Sequence, residues 1–134
     1  MREAARPGGE ARVARILIVE DDPDLRRLLG VRLRRGEHDV LDAADGTTGL
    51  AMARTEKPDM VLLDWMMPGI SGIDVVREIR ADEAVADLLV VMMSARSTNE
   101  DIAAARAAGA DDYITKPVNA PNLLARVQAL LPGD

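Results

Sequence analysis

Three short runs, 16–19, 60–63 and 88–93, are apolar throughout, and each stops abruptly at a polar side chain: Glu20, Asp64 and Ser94. Runs of four to six apolar residues bounded in this way read as strands buried on both faces. The stretches between them carry apolar residues at helical spacing. Short buried strands alternating with amphipathic helices leave one economical architecture, a parallel sheet covered by helices on both sides. In such open sheets ligands bind at the carboxyl edge of the strands. A carboxylate set directly after a buried strand, as Asp64 is, therefore becomes the first candidate for chemistry. Taken alone, Asp64 is equally well explained as the cap of the Pro68-Gly69 turn that follows.

Read in order, residues 15–19 form the first strand. Asp22 serves as the N-cap of the next helix and Pro23 suits its first position. Leu25, Leu28, Leu29 and Leu33 make the inward stripe, and Gly36 ends the helix. A second strand covers 38–43, and a helix covers 47–56 before Lys57-Pro58. The third strand, 60–63, leads into Asp64. A helix over 73–81 presents Ile73, Val76 and Ile79. The fourth strand is 88–93, the fourth helix 99–108, closed by Gly109, and the fifth strand 110–114. Leu123, Leu124, Val127, Leu130 and Leu131 mark a last helix, stopped at Pro132. The pattern is β-α repeated five times, a single doubly wound domain.

Composition narrows the function. The chain has 134 residues, 48% of them hydrophobic, which suits one compact domain. It has no cysteine, so disulfides and thiolate metal sites are excluded. No run approaches the roughly 20 apolar residues of a membrane span, and the first ten residues lack the apolar core of a secretory signal. A cytoplasmic protein is expected. A formal net charge of -6 argues against this domain gripping nucleic acid by itself. Residues 1–12, with Pro7-Gly8-Gly9, read as a flexible tail, 13–131 as the domain, and 132–134 as its end.

Chemistry collects at the expected carboxyl edge: Glu20 and Asp21 after strand one, Asp64 after strand three, Ser94 after strand four, and Lys116, one of only two lysines, after strand five. Carboxylates clustered without histidine or cysteine suit a hard divalent cation such as Mg²⁺. A carboxylate can also act as a nucleophile toward phosphorus. That reaction needs charge offset on the phosphoryl oxygens, a cation to hold them and a hydroxyl to donate to them, roles open to Mg²⁺, Lys116 and Ser94. Blander readings exist for each residue. Asp22 is a helix cap rather than a ligand. Trp65 is a partly exposed loop residue, and His38, at the start of an edge strand, is a surface residue with no catalytic part. Tyr113 packs against the last helix.

Four motifs in order carry a family resemblance: Ile-Leu-Ile-Val-Glu-Asp-Asp (16–22), Leu-Leu-Asp-Trp-Met-Met-Pro-Gly-Ile-Ser-Gly (62–72), Met-Ser-Ala-Arg (93–96) and Gly-Ala-Asp-Asp-Tyr-Ile-Thr-Lys-Pro (109–117). Over about residues 13 to 131 the chain resembles the receiver domain of response regulators in two-component signalling. The resemblance implies a flavodoxin-like sheet of order 2-1-3-4-5. It implies that Asp64 is the phosphoacceptor and that Mg²⁺ is bound by Asp21, by Glu20 through a water, by Asp64 and by the backbone carbonyl of Met66. Lys116 would hold the phosphoryl group, with a cis bond to Pro117. Ser94 and Tyr113 would be the switch residues, and Met66 and Arg96 would tune the lifetime of the phosphoaspartate.

The implied partners are a sensor histidine kinase or histidine phosphotransfer protein and a downstream protein that reads the surface of helix four, strand five and helix five. The resemblance also brings in a phosphorylation-dependent homodimer, against which Ile102 and Asn122 count, since charges are expected there; Arg126 is retained. The short end after the last helix favours a stand-alone regulator. Such a chain assists its own phosphotransfer and is not an enzyme with a turnover substrate. The alternatives are a phosphorylation-independent interaction module and a Mg²⁺-dependent phosphohydrolase; Met66 speaks against the second, which commonly has an acid at that position.

Overall fold

The computed structural model describes residues 13–132. The expected tail and the last two residues lie outside them. Five parallel strands, β1 (Arg15–Val19), β2 (Asp39–Ala43), β3 (Met60–Asp64), β4 (Leu89–Ser94) and β5 (Asp112–Thr115), lie in the order β2-β1-β3-β4-β5. They alternate with α1 (Pro23–Arg35), α2 (Gly46–Glu56), α3 (Gly72–Ala81), α4 (Asn99–Ala108) and α5 (Ala120–Leu130). This is the doubly wound, flavodoxin-like arrangement expected.

Two apolar layers hold it together, and strand pleating divides residues between them. Leu17 and Val19 of β1 face one layer, with Leu50 and Ala53 of α2, Val75, Val76 and Ile79 of α3, and Ala105 of α4. Ile16 and Ile18 face the other, with Leu29 and Leu33 of α1 and Leu123 and Val127 of α5. Alternate residues of a strand point to opposite faces, so a central strand must be apolar at every position. That is why β1 and β3 read as unbroken runs, while β2, at the sheet edge, mixes Asp39 and Asp42 with apolar residues.

The helix ends follow local chemistry. The Asp22 carboxylate accepts from the Asp24 and Leu25 amides, and Asp45, Ser71, Thr98 and Asn119 cap α2, α3, α4 and α5 in the same way. Each satisfies an amide that the first turn leaves unpaired. Two expectations, on Leu28 and His38, need correction. Leu28 lies off the buried stripe of α1 and is 46% exposed; the stripe uses Gly30 instead. Gly36 ends α1 as expected, and Glu37 beyond it takes the left-handed region, at φ 68. His38 is not a surface residue: it is 4% exposed. Its Nδ1 accepts from the Ala14 amide at 3.0 Å and the Gln128 side-chain amide lies 2.9 Å from its Nε2. The histidine precedes β2 and lies against α5 through Gln128.

Candidate functional site

β1 and β3 are neighbours in register, Val19 opposite Leu63. Residues that follow β1 therefore stand beside the end of β3. Glu20 and Asp21 emerge there next to Asp64, and one carboxylate oxygen from each lies within 4.8 Å of the others. β4 and β5 bring the remaining parts. Ser94 pairs with Thr115, and the Lys116 amide donates to the Ser94 carbonyl at 2.8 Å. From this anchor the Lys116 ammonium reaches across the sheet edge to Glu20 Oε1 at 2.9 Å and Asp64 Oδ2 at 3.2 Å. The Lys116-Pro117 bond is cis. The Glu20, Asp21, Asp64 and Lys116 side chains thus meet at one place, and Ser94 stands at the same sheet edge with its hydroxyl turned to the Arg96 amide.

Burial sets its electrostatics. Glu20 is fully buried and Asp64 nearly so, while Asp21 is exposed. Burial pushes the Glu20 carboxyl up to about 7, with the Lys116 hydrogen bond pulling the other way and the Asp64 charge adding to the rise. Lys116 is desolvated too, but Glu20 and Asp64 outweigh that and raise its pKa. The lysine stays charged across the physiological range, and the Glu20 carboxyl is the group that burial penalises. Three acids against one ammonium leave an excess of negative charge, in an all-oxygen donor set. That set fits a hard divalent cation. Glu20 is the least free to be a direct ligand, because Lys116 holds its Oε1 and the Asp22 amide donates to its Oε2 at 3.1 Å.

The hydroxyl side of the site is built around one residue that the sequence marks only weakly. Ser94 is buried, and its Oγ accepts from the Arg96 amide at 3.0 Å. The Tyr113 hydroxyl donates to the Arg96 carbonyl at 2.6 Å. The Arg96 guanidinium lies over the Trp65 ring, 4.6 Å from its centre, and pairs with Asp101 at 3.0 Å. Trp65 also meets Tyr113 edge to face at 6.3 Å. Trp65 is therefore buried, at 8% exposure, and not the partly exposed loop residue expected. The signal was in the sequence as an aromatic next to Asp64 and an arginine two residues after Ser94, but only the fold stacks them. Met66, by contrast, is 60% exposed.

Residues 16–128 match the family described as response regulator receiver domain. The chain belongs to that family. It is 42% identical over 117 residues to the DNA-binding dual master transcriptional regulator RpaA of Synechocystis, covering 87% of this chain and 48% of that protein. It is 44% identical to the DNA-binding response regulator MtrA of Mycolicibacterium smegmatis, covering 87% of this chain and 50% of the relative. The chain thus spans about half the length of these curated relatives, which do not speak for a stand-alone regulator. Among solved structures, the chemotaxis response regulator CheY4 of Vibrio cholerae superposes with a TM-score of 0.85 at 28% identity, over 90% of this chain and all of that one. The BeF3-activated DrrB receiver domain gives 0.79 at 31%, over 88% and 97%. The chain is a receiver domain, a class of signalling switch. Among the described residues no helix is long and apolar enough to cross a membrane.

Proposed function

We propose that Asp64 accepts a phosphoryl group from the phosphohistidine of a sensor histidine kinase or histidine phosphotransfer protein. The donor's P–N bond breaks as a P–O bond forms to the Asp64 carboxylate, and the imidazole leaves. The observation that carries this reading is the placement of Asp64 Oδ2 3.2 Å from the Lys116 ammonium, with oxygens of Glu20 and Asp21 within 4.8 Å. Mg²⁺, held by Asp21 and Asp64, by the Met66 carbonyl and by Glu20 through a water, would offset charge on the phosphoryl oxygens. Lys116 holds those oxygens, and Ser94 turns its hydroxyl toward them. The gain of about −1.5 to −2 charges then favours a second arrangement of α4, β5 and α5, with Tyr113 moving together with Ser94. A protein partner, or a second copy of the chain, reads that face. The acidic domain itself holds no nucleic acid, and the whole reading goes with action in the cytoplasm.

Met66 and Arg96, two residues after the acceptor and two after the hydroxyl residue, tune hydrolysis of the phosphoaspartate. Methionine cannot orient an attacking water, so the modified state is long-lived, and Met66→Asn shortens it. The test of the reading is intact mass after incubation with Mg²⁺ and acetyl phosphate. The expected result is a gain of one phosphoryl group by the wild type and none by Asp64→Asn. A gain by both proteins refutes Asp64 as the acceptor, and a gain by neither, with the fold intact and Mg²⁺ bound, favours a phosphorylation-independent interaction module or strict dependence on a cognate kinase.

A further inference from the structure

Residue 96 is tied to four parts of the molecule at once. Its amide donates to Ser94 Oγ, its carbonyl accepts from Tyr113, and its guanidinium is sandwiched between the Trp65 ring and the Asp101 carboxylate. Trp65 follows Asp64 directly in the chain, and its amide donates to the Met93 carbonyl next to Ser94. Asp101 sits in the first turn of α4. A single side chain therefore bridges the residue after the acceptor and the start of the helix that borders the site.

The rest of α4 offers little competing grip. Ala105 is its one buried residue, and Ile102 is only half-buried against the core. Its far end is fastened separately. The Arg80 guanidinium donates to the Gly109 carbonyl at 2.8 and 3.0 Å and pairs with Asp111 at 2.8 Å. The near end has the Thr98 cap and the Arg96–Asp101 pair. Held firmly at one end and by few contacts elsewhere, the helix depends on the Arg96 contacts to keep its first turn against the site.

From this juxtaposition the geometry points to Arg96 as a positioning residue, a latch that holds the loop after β4 and the first turn of α4 in the unmodified arrangement through Trp65 and Asp101. The inference rests on Asp64 being the acceptor. Ser94 cannot turn its hydroxyl to a phosphoryl group on Asp64 without disturbing the Arg96 amide that donates to it. With that acceptor withdrawn the loop is freed to shift, and in the switched arrangement the guanidinium leaves the Trp65 face and Asp101. Arg96 thereby sets how readily the chain switches, beyond any effect on hydrolysis. Each contact is partly open to water, Arg96 being 46% exposed, so the latch is a weak one that a phosphoryl charge can overcome.

Trp65 is the only tryptophan, which makes its fluorescence a direct readout. Wild type, Arg96→Ala, Arg96→Lys and Asp101→Asn are compared for acrylamide quenching of Trp65, for hydrogen exchange over 97–108, and for the rate of mass gain with Mg²⁺ and acetyl phosphate. In Arg96→Ala, quenching, exchange in the first turn of α4 and phosphorylation rate each rise by roughly two- to fivefold, the factor carried by a half-exposed cation–π contact. Asp101→Asn reproduces the exchange and rate effects. Arg96→Lys, which keeps the charge but stacks less well, falls between. The latch is overturned if Arg96→Ala takes up the phosphoryl group at the wild-type rate with α4 exchange unchanged. If neither the wild type nor any variant gains mass while all retain the fold, Asp64 does not accept from acetyl phosphate and the switching role of Arg96 in that reaction falls with it. That outcome is distinct, since it is seen without reference to Arg96.

Discussion

Gly72 opens α3 directly beneath the site, and a methyl group there would overlap the Asp64 carbonyl oxygen and sit 2.8 Å from Trp65 Cα. Backbone cannot retreat as a flexible side chain can. Gly72→Ala is expected to cost about 1–3 kcal/mol in urea unfolding and to slow phosphorylation, because the end of β3 must shift. His38 makes a different kind of prediction. Its Nδ1 needs a lone pair for the Ala14 amide, so the neutral ring carries its proton on Nε2, which donates to Gln128 once that side-chain amide is turned to present its oxygen. Burial lowers the His38 pKa below the ordinary histidine value. The unfolded chain then binds more protons than the folded one once pH falls below about 6.5. This contribution is fully present above that pH and is lost as pH falls through the folded value. The stability of wild type should therefore drop more between pH 7 and 5 than that of His38→Gln; parallel curves would contradict the assignment.

At the scale of elements, the five helices are not equally anchored. α3 buries Val75, Val76 and Ile79, and α5 buries Leu123 and Val127, whereas α4 buries Ala105 alone. Stability is distributed accordingly, and the least anchored element opens first. Native-state hydrogen exchange should show α4 amides exchanging through local opening, at a lower free energy than those of α3. Truncation tells the same story. Ile79→Ala, at a fully buried position, should cost about 2–5 kcal/mol, and Ile102→Ala clearly less. The weak anchoring of α4 was legible in its alanines, but the Arg80 fastening of its C-terminal end was not. Arg80 reaches carbonyls of Ala86 and Gly109, partners that sequence spacing does not predict.

At the scale of the whole molecule, the carboxyl edge concentrates charge that the fold does not neutralise by itself. A bound divalent cation should stabilise the folded chain, because the unfolded chain has no assembled cluster to bind it. Mg²⁺ at about 100 times its dissociation constant adds about 2.7 kcal/mol, read as a rise in Tm that a chelator reverses. Asp21→Asn should remove most of that rise while leaving the Tm without Mg²⁺ close to the wild-type value, since Asp21 is exposed.

The order of strands and helices, the two-layer core and the acids, hydroxyl and lysine at one sheet edge were all readable in the chain. The reason is physical: a strand buried on both faces must be apolar until it reaches the carboxyl edge of the sheet, where Glu20, Asp64 and Ser94, though buried, find polar partners. Local caps such as Asp22 were readable because a cap lies within three residues of the amide it serves. The tertiary structure alone decided contacts between side chains far apart in sequence. It turned Trp65 inward under Arg96, buried His38 between Ala14 and Gln128, and turned Leu28 outward. Each depends on which neighbour happens to cover a residue, and periodicity carries no information on that. What brings Lys116 to Glu20, 96 residues away, is the strand order, a property of the packed sheet as a whole.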